Sequence, residues 1–94
     1  MNNISKYLGL AYRARKILVG EKALQSIKSK DSSLIVIAND ASDRTKKMII
    51  NQCVFYQVKY IIDLSSDELS SEIGSSNIKY ISVIDSGFAK QMSK

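Results

Sequence analysis

Three short apolar stretches, residues 34–38, 58–62 and 78–84, the first an unbroken run rich in branched side chains, are separated by stretches of helical length whose apolar residues recur every three to four positions. Strands of that length spaced by amphipathic helices are joined through crossovers, which lay helices against both faces of a sheet. The alternation predicts an α/β chain folded as a three-layer α/β/α sandwich around a mixed sheet of about four strands, the number that this length permits; residues 17–19 form a short apolar run between the first two helices. The chain has 94 residues, and a chain of this size buries only about 60 to 65% of its unfolded surface. One core, and one domain over residues 1–94, is therefore expected.

Local signals place the elements. Ile4, Tyr7, Leu8 and Ala11 lie along one stripe of a first helix that ends near Arg15. Gly20 precedes a second helix over residues 21–30, where Ala23, Leu24 and Ile27 share a face and Glu21 stands in the dipole-favoured first turn. The run 34–38 reads as a strand covered on both faces. A third helix begins at Ser42 or Asp43, either a good N-cap, and passes Met48, Ile49 and Cys53 to about Tyr56. Ser65 and Glu68 form a capping box for a fourth helix, with Leu64 and Leu69 at its hydrophobic-staple positions. That helix passes Ile73 and stops at Gly74, a natural left-handed cap, followed by a polar loop of Ser75, Ser76 and Asn77. Residues 78–84 give the last buried strand and residues 86–92 a terminal helix. The serine pairs at 32–33, 65–66, 70–71 and 75–76 read as cap and loop positions.

What is missing narrows the chemistry. There is no His and one Cys, Cys53, so no His/Cys zinc cluster, no Ser-His or Cys-His pair and no internal disulfide is available. Neither catalysis nor a bound metal or cofactor is expected, and Cys53 reads as a small buried hydrophobe. No run approaches the roughly 18 apolar residues of a spanning helix, and the polar residues 1–6 lead into no signal-peptide core, so the cytoplasm is the expected compartment. The glycines compose neither a P-loop nor a dinucleotide fingerprint. Asp67 and Glu68 are accounted for by capping. Tyr7 and Tyr12 are available for stacking on bases, whereas Tyr56, Tyr60 and Tyr80 read as core or strand residues.

Charge points to a partner. Residues 1–30 carry seven basic and one acidic side chain, residues 31–62 four and three, and residues 63–94 three and five. The excess collects at Arg13, Arg15 and Lys16, followed by Gly20, Glu21 and Lys22 at the next helix start. Two readings stand side by side: these cations complement the first helix's dipole, or with the open helix start they hold the phosphates of a nucleic acid. Arg44, Lys46 and Lys47 form a second basic group, most simply a solvated face. Asn39 and Asp40 directly follow a strand, where ligands gather in open α/β sheets. Asp40 either accepts hydrogen bonds from a base or ribose or bonds the turn that leads to the third helix.

The segments LGLAYRARK at residues 8–16, LIVIANDAS at 34–42 with Thr45, Lys46 and Lys47, and DSGFAK at 85–90 together resemble the kink-turn RNA-binding ribosomal-protein family, in its bacterial YlxQ-type branch. The resemblance implies an α/β/α sandwich of four main strands that binds structured RNA, typically the kink-turn; ribosomal RNA is a further expected partner, and a monomer is expected. The resemblance also implies that RNA sits against the start of the second helix and a loop near the last strand. The family's glycine falls on Gly20 and its preceding lysine on Lys16. Its Thr-Asn-Glu stretch and later lysine fall on Glu21, Lys22, Ala23 and Ser26, where this chain departs from the pattern. Its acidic residue falls on Asp40, and its second RNA-facing loop on Gly74, Ser75, Ser76 and Asn77. The competing expectation is an interaction module in which the basic face meets an acidic protein of the ribosome or transcription machinery.

Overall fold

The computed structural model describes residues 3–93. In chain order the elements are α1 (Asn3–Arg13), β1 (Ile17–Val19), α2 (Glu21–Lys28), β2 (Leu34–Ile37), α3 (Asp43–Tyr56), β3 (Tyr60–Ile62), α4 (Ser66–Glu72), β4 (Tyr80–Val83) and α5 (Ser86–Met92). The sheet order is β1-β4-β2-β3. β4 runs antiparallel to both β1 and β2, while β2 and β3 are parallel, as the α3 crossover between them requires. α1 packs against α4 and α5, and α2 against α3. The two groups cover opposite faces of the sheet and complete the three layers.

Register fixes which side chains share a face. Ser82 of β4 stands opposite Leu18 and Ile35 and accepts a hydrogen bond from the Ser26 hydroxyl of α2. Leu18, Ser82 and Ile35 therefore face the α2–α3 layer, and Ile81, Val83, Leu34 and Val36 face the other. β2 is buried along its whole length, which is why its run carries no polar alternation. β3 has the same kind of sequence but is an edge strand, and Tyr60 and Ile62 are exposed. Cys53 is fully buried on α3, and burial pushes its thiol up to about 11.

Several local expectations hold in detail. Ser42, not Asp43, caps α3, accepting from the Thr45 N–H at 3.1 Å. Ser65 and Glu68 form the reciprocal capping box, and Leu64 and Leu69 are both buried. Gly74 takes φ 64°, and the N–H groups of Gly74 and Ser75 donate to the Ser71 and Ser70 carbonyls, which is the Schellman closure. Other expectations need correction. α1 stops at Arg13 because Arg15 turns left-handed, and α2 stops at Lys28 because Lys30 does the same. β4 begins only at Tyr80, since the Ile78 N–H is held by the Ser70 hydroxyl at 3.0 Å rather than by a strand.

The serines are more than loop residues. Ser26, Ser82 and Ser32 form a buried hydroxyl chain with links of 2.8 Å, which ties α2 across the sheet to the approach of β2. Ser66 and Ser70 are also buried. Each hydroxyl has a partner, as buried polar groups require.

Candidate nucleic-acid interface

The two ends of the sheet are built from different segments. Val19 lies opposite Ile81, Ile37 opposite Tyr80 and Ile62 opposite Ile37. β1, β2 and β3 thus finish at the end where β4 begins, and α2, α3 and α4 start there. At the other end β1, β2 and β3 begin, β4 finishes at Val83, and α1 ends beside the start of α5.

The Tyr80 end holds a distinctive opening. Gly20 precedes α2 with φ 62° and ψ −136°, and no side chain caps the helix. This is backbone that glycine alone adopts without strain. The Gly20 carbonyl accepts from the Ala23 and Leu24 N–H groups at 3.0 and 3.3 Å, so the amides of Glu21 and Lys22 precede the intrahelical ladder. Beside Gly20 lies a crevice of about 120 Å³ lined by Asn77, Ile78, Lys79 and Tyr80. Tyr80 lines this crevice, and its phenol is raised above its ordinary value by burial and then by the Glu21 carboxylate. Gly20, Glu21, Lys22 and Asn77 are exposed. The structure therefore brings the α2 start and the loop before β4 together.

That loop is fixed from below. Ser70 of α4 receives the Ser75 N–H on its carbonyl at 2.9 Å and the Ile78 N–H on its hydroxyl. Gly74, Ser75, Ser76 and Asn77 are consequently presented as an exposed turn on two anchored ends. Sequence reasoning assigned Tyr80 to a strand and gave Lys79 and Ser70 no part in the site. The signal available was their place on either side of the polar loop.

Within the chain Asp40 bonds the start of α4 rather than the turn leading to α3. Its Oδ1 accepts from the Ser66 N–H at 2.8 Å and its Oδ2 from the Ser66 hydroxyl at 2.9 Å. Those bonds, with the Lys79 ammonium nearby, hold the carboxyl below the usual carboxylate range. Lys79 Nζ also donates to the Ser66 hydroxyl at 3.3 Å. Asp40 thus ties the exit of β2 to the start of α4, with Lys79 joining from the approach to β4.

The cations divide between the two ends. Lys22 stands at the Tyr80 end with Gly20. Arg13, Arg15 and Lys16 lie at the other end of β1, where the Lys16 carbonyl accepts from the Ile84 N–H at 2.9 Å. β1 has three residues, so about 10 Å of strand separates the groups. Because β1 is an edge strand, both groups adjoin one open side of the sheet. Arg44, Lys46 and Lys47 lie on the first turns of α3, again at the Tyr80 end. Ala23 and Ser26 are buried, Ser26 being committed to Ser82, so two of the four departures from the family pattern fall on positions turned into the core, while Glu21 and Lys22 face outward. The exposed residues of the α2 start are Glu21, Lys22 and Gln25.

A four-stranded mixed sandwich with a glycine-opened helix beside a short polar turn defines a small class of α/β/α domains. This chain belongs to the ribosomal protein L7Ae/L30e/S12e/Gadd45 family, whose model matches residues 2–93. It is similar to the RNA-binding protein YlxQ of Enterococcus faecium, 34% identical over 85 residues, covering 89% of this chain and 82% of the relative. It is similar also to the RNA-binding protein YlxQ of Bacillus subtilis, 35% identical over 86 residues, with 90% and 86% covered. A solved protein of unknown function from Bacillus halodurans superposes with a TM-score of 0.92 at 29% identity, over 99% of this chain and 95% of that one. The Giardia lamblia 15.5kD RNA binding protein shares the fold, with a TM-score of 0.81 at 19% identity over 97% and 82% of the two chains.

Proposed function

We propose that this protein is a non-catalytic, monomeric, cytoplasmic binder of structured RNA, its targets being kinked internal loops of the kink-turn kind or ribosomal RNA. The observation that carries this reading is the pairing of an uncapped, glycine-opened helix with the Asn77–Tyr80 crevice on one exposed end of the sheet. Membership of the family and the RNA-binding names of its relatives support it.

In this reading the phosphates run along the open β1 edge. Arg13, Arg15 and Lys16 hold them at one end, and Lys22 with the first α2 amides holds them at the other, which sets orientation without reading sequence. Unpaired bases then enter the opening by Gly20 and the Gly74, Ser75, Ser76 and Asn77 turn. With Ala23 buried, Glu21 is the carboxylate placed to accept from a guanine edge. Asp40 acts by fixing the start of α4 beneath that turn and not by touching RNA. Structured RNA is favoured over plain duplex because unstacked bases at a bend offer the edges that a deep A-form groove hides.

The reading is tested by titrating three RNAs at low salt: a kink-turn, an uninterrupted duplex and a single strand. The expected order has the kink-turn tightest, by about 1 to 3 kcal/mol, the value of one good base contact. Absence of binding to all three defeats the reading, and equal binding to all three removes its selectivity for structure.

A protein-interaction role has one observation in its favour. Val54 and Phe55 of α3 are 64% and 78% exposed, which is unusual for large apolar side chains and characteristic of contact surfaces.

A further inference from the structure

Sequence order conceals where the positive charge ends up. At the Tyr80 end, Lys22, Arg44, Lys46, Lys47 and Lys79 are offset by Glu21, Asp40, Asp43, Asp63, Asp67 and Glu68. The opposite end is not balanced. Arg13, Arg15 and Lys16 leave α1 there, Lys28 and Lys30 leave α2, Lys59 enters β3, and Lys90 rides on α5. Among the described residues only Asp31 and Asp85 accompany them, Asp31 accepting from the Ser29 hydroxyl and Asp85 from the Phe88 N–H. The molecule's net charge of +5 therefore lies at the end remote from Gly20 and Asn77.

This pole also has a shape. Lys59 and Lys90 line a cleft of about 430 Å³ with Ser33, Gln57, Ser86 and Ser93. Among the described residues the lining supplies two ammonium groups with hydroxyl and amide donors, beside Val58 and Ala89, and no carboxylate side chain. Ammonium and hydroxyl donors without an acid suit an anionic partner, and the continuity of this pole with Arg13, Arg15 and Lys16, already read as phosphate contacts, favours a nucleic-acid backbone.

We propose that the Val83 end is a second RNA-contact face, in which the Lys59–Lys90 cleft takes backbone phosphates of a stem that continues past Arg13, Arg15 and Lys16. The proposal rests on the RNA-binding reading and extends it. The Tyr80 end reads bases, and the opposite pole supplies most of the electrostatic attraction. The protein measures 30 × 27 × 23 Å, so an RNA stem lying along it reaches both ends.

The test uses the full chain with Lys59→Gln and Lys90→Gln combined. Both side chains are exposed, and circular dichroism verifies that the fold is kept. Binding is measured across salt to a kink-turn RNA with one lengthened stem and to the same RNA with that stem cut back to the loop. With the long stem, the log–log salt slope is expected to fall by roughly 2, with a loss of affinity on the order of tenfold to thirtyfold near physiological salt. With the short stem, the variant and wild type are expected to coincide. Unchanged slope and affinity on the long RNA overturn the second face while leaving the RNA-binding reading intact. So does a variant that keeps RNA affinity but loses affinity for polyglutamate, which assigns the pole to acidic protein. If the wild-type chain binds neither RNA, the underlying reading fails first and the second face with it.

Discussion

Replacing Arg13, Arg15, Lys16 and Lys22 together by glutamine is expected to weaken RNA binding on the order of a thousandfold near physiological salt. Four neutralised phosphates correspond to a log–log salt slope of roughly −3 to −4. Removing that dependence at about 0.15 M salt costs close to three powers of ten. Anisotropy titrations at several salt concentrations measure both quantities. The geometry adds a finer expectation. Lys22 stands beside the Gly20 opening, whereas the other three lie beyond the start of β1. Lys22→Gln alone is expected to reduce both affinity and preference for the kinked RNA. The triple variant is expected to reduce affinity for all RNAs alike, since phosphate contacts carry no sequence information. Among the described residues none of these four cations forms an ion pair within the chain, so the substitutions leave no carboxylate stranded and stability should stay within about 0.5 kcal/mol of wild type.

The largest effect on stability is expected at the centre of the sheet. Ile35 is fully buried, paired to Ser82 on one side and Tyr60 on the other, and it faces the α2–α3 layer. Ile35→Ala removes three methyl or methylene groups and leaves a cavity between sheet and helices. The expected loss is about 3 to 4 kcal/mol, within the usual range for a large aliphatic side chain in a core. For a protein this small that is a large part of the total stability. Ile62→Ala is the matched control. It also lies on a short apolar strand, yet its side chain is 45% exposed at the edge, and its loss should be under about 1 kcal/mol, since little apolar area returns to water. Urea unfolding of the two variants decides the contrast, and equal losses would mean that the burial difference between β2 and β3 is wrong.

That contrast also marks where sequence reasoning reaches its limit. Residues 34–38 and 58–62 both read as short apolar strands, although Lys59 and Tyr60 interrupt the second run. Which one becomes the centre of a mixed sheet depends on β4 inserting between β1 and β2, a long-range choice that no local pattern encodes. Local physics was legible wherever the cause was local. Ser65, Glu68, Leu64 and Leu69 form their capping box and staple, and Gly74 closes α4, because each needs only neighbours within five residues. The site was legible in part for the same reason. Gly20 and its uncapped helix could be read from the chain, and the family resemblance supplied the polar loop opposite it. The separation of Arg13, Arg15 and Lys16 from Lys22 was not legible. Six positions apart in sequence, Lys16 and Lys22 flank a strand, and a strand carries its two ends apart where a helix would have kept them together. Ser26 and Asp40 were equally opaque, since their partners Ser82 and Ser66 are 56 and 26 residues away.

Ultraviolet crosslinking of the intact protein to a kink-turn RNA, followed by mass spectrometry of the crosslinked peptides, tests the central claim most directly. Base crosslinks are expected on the segment carrying Gly20, Glu21 and Lys22 and on the segment from Asn77 to Tyr80, which are far apart in sequence and share one crevice. Base crosslinks confined to the exposed Val54 and Phe55 surface of α3, with neither of those segments labelled, would contradict it.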